Sequence, residues 1–435
     1  MSIENLHAVP NLTTVLTGPL REIEQHLLNQ QASIENWFRN QWRKTPAPFY
    51  ASVDLRNAGF KLAPVDTNLF PAGFNNLNPA FMPLCIQATQ SALEQICPDA
   101  NNVLIVPENH TRNTAYFESL AMLQNILSKA GYTVKIGSIN PEITEIQTQK
   151  LASGGELTLY PLTRTGNKVS VEGFEPCLVL LNNDLSGGTP EILENIDQTI
   201  IPPMRSGWAH RLKSGHFGHY QQVTESFAEQ IGIDPWLINP LFTTCGEINF
   251  MKREGEDCIA HNVGNLLKAI QAKYDQYGIE EKPFIIVKAD AGTYGMGIMT
   301  IHSVEEAREL NRKQRTKMSK IKGGQAVSKV ILQEGVYTFE SWGSEQAVAE
   351  PVVYMLDHFV VGGFYRVHTG RGRTENLNAP GMHFEPLAFA EPCNSPDEKM
   401  SPDACPNRFY AYGVIARLAL LAAAREIDEL KRSDA

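Results

Sequence analysis

Residues 284–301 read FIIVKADAGTYGMGIMTI. An apolar strand, Phe284 to Val287, delivers Lys288. A loop holding Gly292, Gly295 and Gly297 follows, and a second apolar strand, Ile298 to Ile301, returns. Glycines let backbone N–H groups come close to an anion, and a lysine at the root of the loop adds a point charge for phosphate oxygens. The stretch therefore reads as a lid over a triphosphate; the bland alternative is a glycine-containing hairpin with a solvated lysine. It is not a Walker A loop, because the lysine precedes the glycines. Nor is it a dinucleotide fingerprint, whose G-x-G-x-x-G glycines precede a helix.

Downstream pieces lend weight to the phosphate reading. VILQEGV (330–336) puts Gln333, Glu334 and Val336 at the end of an apolar strand, where backbone groups can read an adenine edge and a carboxylate can take ribose or amino hydrogens. Glu350 opens another apolar strand, which turns at Asp357-His358 into FVVGGFYRVH, so Glu350 and Arg366 are expected at one end of neighbouring antiparallel strands. TENLNAPG then brings Glu375, Asn376 and Asn378. Hard oxygen donors from Glu350, Glu375 and Asn376 suit Mg2+ on phosphates, and Arg366 suits a phosphoryl group in transfer.

The remainder bounds the answer. The chain has 435 residues, 43% of them apolar, enough for two or three domains with real cores. A net charge of −10 disfavours nucleic acid and membrane surfaces as partners and points to small molecules. No apolar run is long enough to span a bilayer and the first residues lack a signal-peptide layout, so a cytoplasmic protein is expected. Seven cysteines without a C-x-x-C pair indicate neither a disulfide framework nor a zinc ribbon, and Cys393 and Cys405 receive no role. His216 and His219 have no third ligand at zinc spacing.

Periodicity places a helix over 13–44, an ordered loop region over 51–79, and a β-α-β unit over 103–138 with another strand at 177–184. Strand and helix alternate there, so an α/β domain with a parallel or mixed sheet is expected over 1–200. From 201 to 435 the texture turns to amphipathic helices and β-rich segments. The C-terminal helix is apolar along one side and must pack on its own core or on a second subunit of a homo-oligomer.

The run of lysine, glycine-rich loop, strand-Q-E-x-V, acidic strand start, Tyr-Arg and Asn-Leu-x-x-x-Gly resembles the ATP-grasp superfamily. NLNAPG (376–381) is similar to the Asn-Leu-x-x-Gly-Gly segment of glutathione synthetase-like members, whose Asn ligates magnesium. Glu350 stands where those enzymes start a D-x-R-V strand, but Val352 replaces the Arg. The superfamily's earlier lysine, on the α- and β-phosphates, falls near Lys213, with Arg205 and Arg211 competing. Over its whole length the chain resembles the bacterial glutamate-cysteine ligases with an ATP-grasp-like C-terminal half, through PVDTNLFPAGFNN, PENHTRNTAYFE, NNDLSGG, PPMRSGWAHRLKSGHFGHY and KADAGTYGMGIMTI.

That resemblance implies an α/β (α+β) protein with an N-terminal substrate domain and an ATP-grasp-like domain of two β-rich subdomains. It implies ATP and Mg2+ as cofactors, and γ-glutamylcysteine formed through a γ-glutamyl phosphate as the first step of glutathione biosynthesis. A ligase must also hold an amino acid's ammonium and carboxylates. Asp66, Asn68, Asn75 and Asn76, with Glu108, His110, Arg112 and Asn113, are donors and acceptors of the right kind, although each can equally shape a turn. Arg112, Arg205 and Arg211 suit a carboxylate. Two other readings stay open: an ATP-grasp ligase for a different amino-acid pair, and a nucleotide-binding protein without catalysis.

Overall fold

The computed structural model describes residues 12–13, 19–109, 113–292, 297–319, 326–387 and 408–432. The expected helix over 13–44 is two helices, α1 (Pro19–Asn29) and α2 (Gln31–Trp42), joined at Gln30. Ile34, Trp37 and Phe38 of α2 recur at three and four positions and are buried.

The expected β-α-β unit is present as β3 (Asn102–Pro107), α4 (Thr114–Lys129) and β4 (Thr133–Ser138), with α3 (Met82–Ile96) ahead of it. Asn113 caps α4 by accepting from the Tyr116 amide. β4 is followed by β5 (Glu156–Pro161) and β6 (Leu178–Asn182). These strands and two short ones form a six-stranded sheet in which β6, β3, β4 and β5 run parallel. β3 and β6 are apolar and buried along nearly their whole length, as strands covered on both faces must be.

The region expected to be a loop is different. Residues Tyr50–Asn57 and Leu62–Asn68 are strands, β1 and β2, joined by a tight turn at Gly59, whose φ is +73°. Their Asp, Asn and Arg residues imitate loop composition because one face of the hairpin carries charged groups instead of core. β1 pairs antiparallel with β11 (Ala347–Leu356), and β11 with β12 (Phe359–His368), in a seven-stranded sheet. Hydrogen bonding therefore crosses the boundary expected at residue 200. The chain's first strands finish a sheet that its last strands build.

Between these lie α5 (Lys213–Ile231), β7 (Phe242–Cys245), α6 (Glu256–Tyr277), β8 (Ile285–Ala289), β9 (Ile298–Ile301) and β10 (Val330–Glu334). They supply a four-stranded sheet in the order β7-β10-β8-β9, with Lys288 opposite Ile298 as the strand-loop-strand reading requires. The C-terminal helix α7 (Arg408–Arg432) packs inside its own chain, against α5, β1 and β2. Among the described residues no helix is long and apolar enough to cross a membrane.

A buried ion pair joins the two antiparallel sheets. Lys61, in the β1–β2 turn, donates to Glu334 Oε2 at 2.8 Å with both side chains 1% exposed, and its ammonium lies 4.1 Å from the Trp236 ring centroid. Removing one partner of such a pair strands a buried charge, at a cost of about 3–5 kcal/mol. Lys61→Met should therefore lower the denaturant midpoint by an amount equivalent to about 3 kcal/mol, and adding Glu334→Gln should recover part of it. An unchanged midpoint in Lys61→Met would show that the pair does not hold the sheets together.

Candidate functional site

One cavity opens where the four-stranded sheet faces the β1–β2–β11 sheet. Lys213, Lys288, Gly292, Gln333, Glu334 and Val336 line it from one side, and Asp66, Glu350, Asn376 and Asn378 from the other. Lys288, Glu350 and Asn376, named from three separate stretches, thus share one cavity.

Lys288 reaches across the cleft, donating to the Val65 carbonyl at 2.6 Å and to Gln333 Oε1 at 2.7 Å. Burial drives its pKa down to about 8, against the pull of the Asp66 carboxylate. Gln333 Nε2 is sealed from solvent and has no hydrogen-bond partner among the described residues. An orphaned buried donor in a cavity wall asks for an acceptor from a ligand.

Lys213 is the first residue of α5, and it donates to the Gly292 carbonyl while its ammonium stands 3.8 Å from the Trp208 ring centroid. Desolvation lowers its pKa. The N-terminus of α5 has no side-chain cap of its own. Asp290, in the glycine loop, serves instead: its carboxylate accepts from the Ser214 amide and hydroxyl at 2.7 Å each, and its carbonyl accepts from the Lys213 amide at 2.8 Å. A carboxylate at a helix N-terminus is stabilised by the helix dipole. The cap fastens Lys213 to the loop that starts from Lys288.

The opposite wall is a chain of charges on one sheet face. Arg366 Nη1 bridges Glu350 Oε1 at 2.6 Å and Asp54 Oδ2 at 2.8 Å, and Arg56 Nε holds Glu350 Oε2 at 3.1 Å. Burial raises the Asp54 pKa despite the Arg366 charge, with the nearby carboxylates adding to it. At Asp66 burial also works upward, but Lys213, Lys288, Arg211 and His216 outweigh it and hold the carboxyl below its ordinary range. Val352, where the resemblance implies an Arg, is buried among apolar side chains, and Arg56 and Arg366 on the two flanking strands bring guanidiniums to Glu350.

Several expected residues have other work. Glu334 is committed to Lys61, to Trp236 Nε1 at 3.1 Å and to the Leu241 amide at 2.9 Å, so its carboxylate fastens sheets together although it borders the cavity. Glu375 turns to Arg371 and the Gly372 amide and does not line the cavity. Arg366 lies behind Asp54 and Glu350, outside the lining.

Arg211 is buried against Glu426 at 3.0 Å and the Thr67 carbonyl at 2.7 Å, which ties α7 to β2. Asn68 shapes the turn to Phe70, Arg205 is exposed on a short 3₁₀ turn, and neither they nor Asn75, Asn76, Glu108 and Asn113 line the cavity. Gly297 adopts a φ of +62° and its carbonyl accepts from Ala289. Gly295, His110, Arg112, Cys393 and Cys405 lie outside the described residues.

Asp54 and Arg56 are the charged lining residues that sequence reasoning missed. The signal was present as alternation, since Asp54 and Arg56 stand two apart in YASVDLRN and so share one strand face.

Among curated proteins none matches the chain. A solved structure from Methylobacillus flagellatus KT, to which gamma-glutamylcysteine synthetase activity is ascribed, is 61% identical, with a TM-score of 0.90 over 97% of this chain and 99% of that one. Two distant likenesses, each 10% identical, are D-alanyl-alanine synthetase A from Vibrio cholerae O1 biovar eltor str. N16961, covering 73% of this chain and 81% of its own with a TM-score of 0.33, and the glutathione synthetase-like effector GSS30 from Globodera pallida, covering 84% and 81% with a TM-score of 0.34. The glutamate-cysteine ligase family model, GshA, matches residues 24–427. With that match running through both walls of the cavity, and the Methylobacillus relative alike from end to end, this chain belongs to the glutamate-cysteine ligase family, the ATP-dependent ligases that join glutamate to cysteine.

Proposed function

We propose that the cavity between the two antiparallel sheets is where ATP activates glutamate. A carboxylate oxygen of the glutamate side chain attacks the γ-phosphorus, ADP leaves, and an acyl phosphate forms. The amine of cysteine then attacks the acyl carbon, with loss of phosphate and a proton, to give γ-glutamylcysteine. A carboxylate alone is a poor electrophile, whereas the acyl phosphate carries a good leaving group. The observation that carries this reading is the convergence of Lys213, Lys288 and the orphaned Gln333 amide on the same cavity as Glu350 and Asn376.

Lys213 and Lys288 balance phosphate charge, the Gly292 loop lies against the phosphates, and Gln333 Nε2 supplies a hydrogen bond. Asp66 and Asp54 suit the substrate's ammonium group. Arg366 and Arg56 hold Glu350 in place and, through Asp54, set the charge of that wall. The division of labour expected from sequence survives as a proposal in altered form: the 1–200 region supplies the amino-acid side and the 201–435 region the nucleotide side, with β1 and β2 crossing over.

The donor set also fits magnesium. Glu350 and Asn376 carry hard oxygens on one cavity wall, each already accepting one hydrogen bond, from Arg56, Arg366 or the Asn378 amide, and each with a second lone pair, while Mg2+ is ordinarily held by one or two protein oxygens with phosphates and water completing its shell. Among the described residues no group of three or more His, Cys, Asp or Glu forms an all-protein cage. When bound, the ion would neutralise phosphate charge between Glu350 and Asn376.

Phosphate release on adding glutamate and cysteine, set beside other amino-acid pairs, tests the substrates, and mass spectrometry of the product tests the bond formed. Lys288→Ala and Asn376→Ala should each lose about 100-fold in turnover while folding normally; wild-type turnover in both would remove the site from this cavity.

The pH dependence follows from Lys288. Phosphates favour its charged form, and the free protein loses that proton as pH rises through about 8. ATP affinity should therefore be level below pH 8 and weaken above it by up to about tenfold per pH unit, since one proton is linked to binding. Lys288→Met should bind more weakly throughout and show a shallower alkaline fall. Calorimetry across pH 6.5–9.5 reads both, and identical slopes in the two proteins would place the linked proton elsewhere.

A further inference from the structure

Cys245 ends β7 and Cys258 lies in the first turn of α6, thirteen positions on. Their sulfurs are 3.0 Å apart, about 1 Å beyond a disulfide bond length of roughly 2.05 Å. Asn262, one turn along α6, donates its side-chain amide to both sulfurs, at 3.1 Å to Cys245 and 3.5 Å to Cys258. Cys245 is 1% exposed and Cys258 is open to solvent. The cavity does not include this pair.

We propose that Cys245 and Cys258 form a thiol–disulfide exchange site whose co-reactant is a low-molecular-weight disulfide of the cystine class. Only Cys258 can be reached from solution. Its sulfur attacks one sulfur of the dissolved disulfide, making a mixed disulfide and releasing one thiol. Cys245 then attacks the Cys258 sulfur, the intramolecular S–S bond forms, and the second thiol leaves. Two protein thiols are oxidised, one disulfide is reduced to two thiols, and the two protein protons end on those thiols.

The geometry assigns unequal roles. Burial lifts the Cys245 thiol pKa to about 12, against the Asn262 amide that lowers it, so Cys245 is not the sulfur that opens the exchange. The Asn262 amide supports charge on either sulfur as bonds exchange. The product closes the loop between β7 and α6, which restricts the unfolded chain and holds the helix to the sheet whose next strand, β10, carries Gln333. Cys258 would thus be cleared of adducts by its neighbour. Cys177, exposed and with no described cysteine paired to it, provides an internal comparison.

The test is peptide mapping of the native full chain after treatment with cystine, with free thiols blocked before digestion. Wild type should give a peptide joining Cys245 to Cys258, two hydrogens lighter than the reduced pair, with no half-cystine left on Cys258, while Cys177 keeps its adduct. Cys245→Ser should trap a stable half-cystine adduct at Cys258. Oxidised wild type should melt several degrees above its reduced form, and Cys245→Ser should not, with ligase activity unchanged in the reduced variant. A lasting adduct on wild-type Cys258, or pairing of either residue with another cysteine, would overturn the proposal.

Discussion

Glu350 is a carboxylate buried between two guanidiniums, and the site depends on that arrangement. Burying a carboxylate there without partners would be costly, because burial penalises charge. Arg56 from β1 and Arg366 from β12 supply the compensation from either side, and Asp54 balances the second arginine. The strand order β1-β11-β12 is therefore enforced by charge as well as by hydrogen bonds. Moving any one of the three strands would strand a buried ion, and breaking such a pair costs more than forming it returns. The result is a wall whose donors and acceptors are already oriented before a ligand arrives.

The opposite wall is built on a different principle. Lys288 and Lys213 are desolvated cations whose partners in the structure are mainly carbonyl and amide oxygens, the Val65 and Gly292 carbonyls and the Gln333 amide. A polyphosphate would offer them more than the protein does, and in the proposed role their charge is held in reserve for it. The two walls thus divide the electrostatics: one is internally neutralised and rigid, the other cationic and incomplete. Asp290 keeps the cationic wall in register by capping α5 from the glycine loop, so that lysines 75 positions apart are fastened through one carboxylate.

Sequence and structure part company most clearly over residues 51–79. Loop-like composition there concealed a hairpin, because Asp54, Arg56, Asn57, Asp66 and Asn68 are polar for reasons of the site and of the turns while β1 and β2 remain buried. Composition registers polarity and cannot tell a solvated loop from a strand that faces a charged cavity. Arg211 illustrates the converse. A guanidinium near a predicted helix start suits a substrate carboxylate, and nothing local reveals that Glu426, 215 positions away, takes it. Glu334 is similar, since its partner Lys61 lies 273 positions earlier.

What the sequence determined by itself is the set of local devices: the lysine-rooted glycine loop between two strands, the Q-E strand end, the β-α-β unit and the strand that carries Glu350, which begins three residues earlier than expected, and through their combination the family. Each rests on periodicity or spacing within a few residues, where side-chain direction follows directly from strand or helix geometry. Only the tertiary structure decided which charged residues face the ligand and which hold the frame. Asp54 and Arg56 joined the cavity, and Arg211 and the Glu334 carboxylate turned elsewhere, because a buried ion's role is set by whichever partner folding brings to it, and those partners arrive from more than 200 positions away.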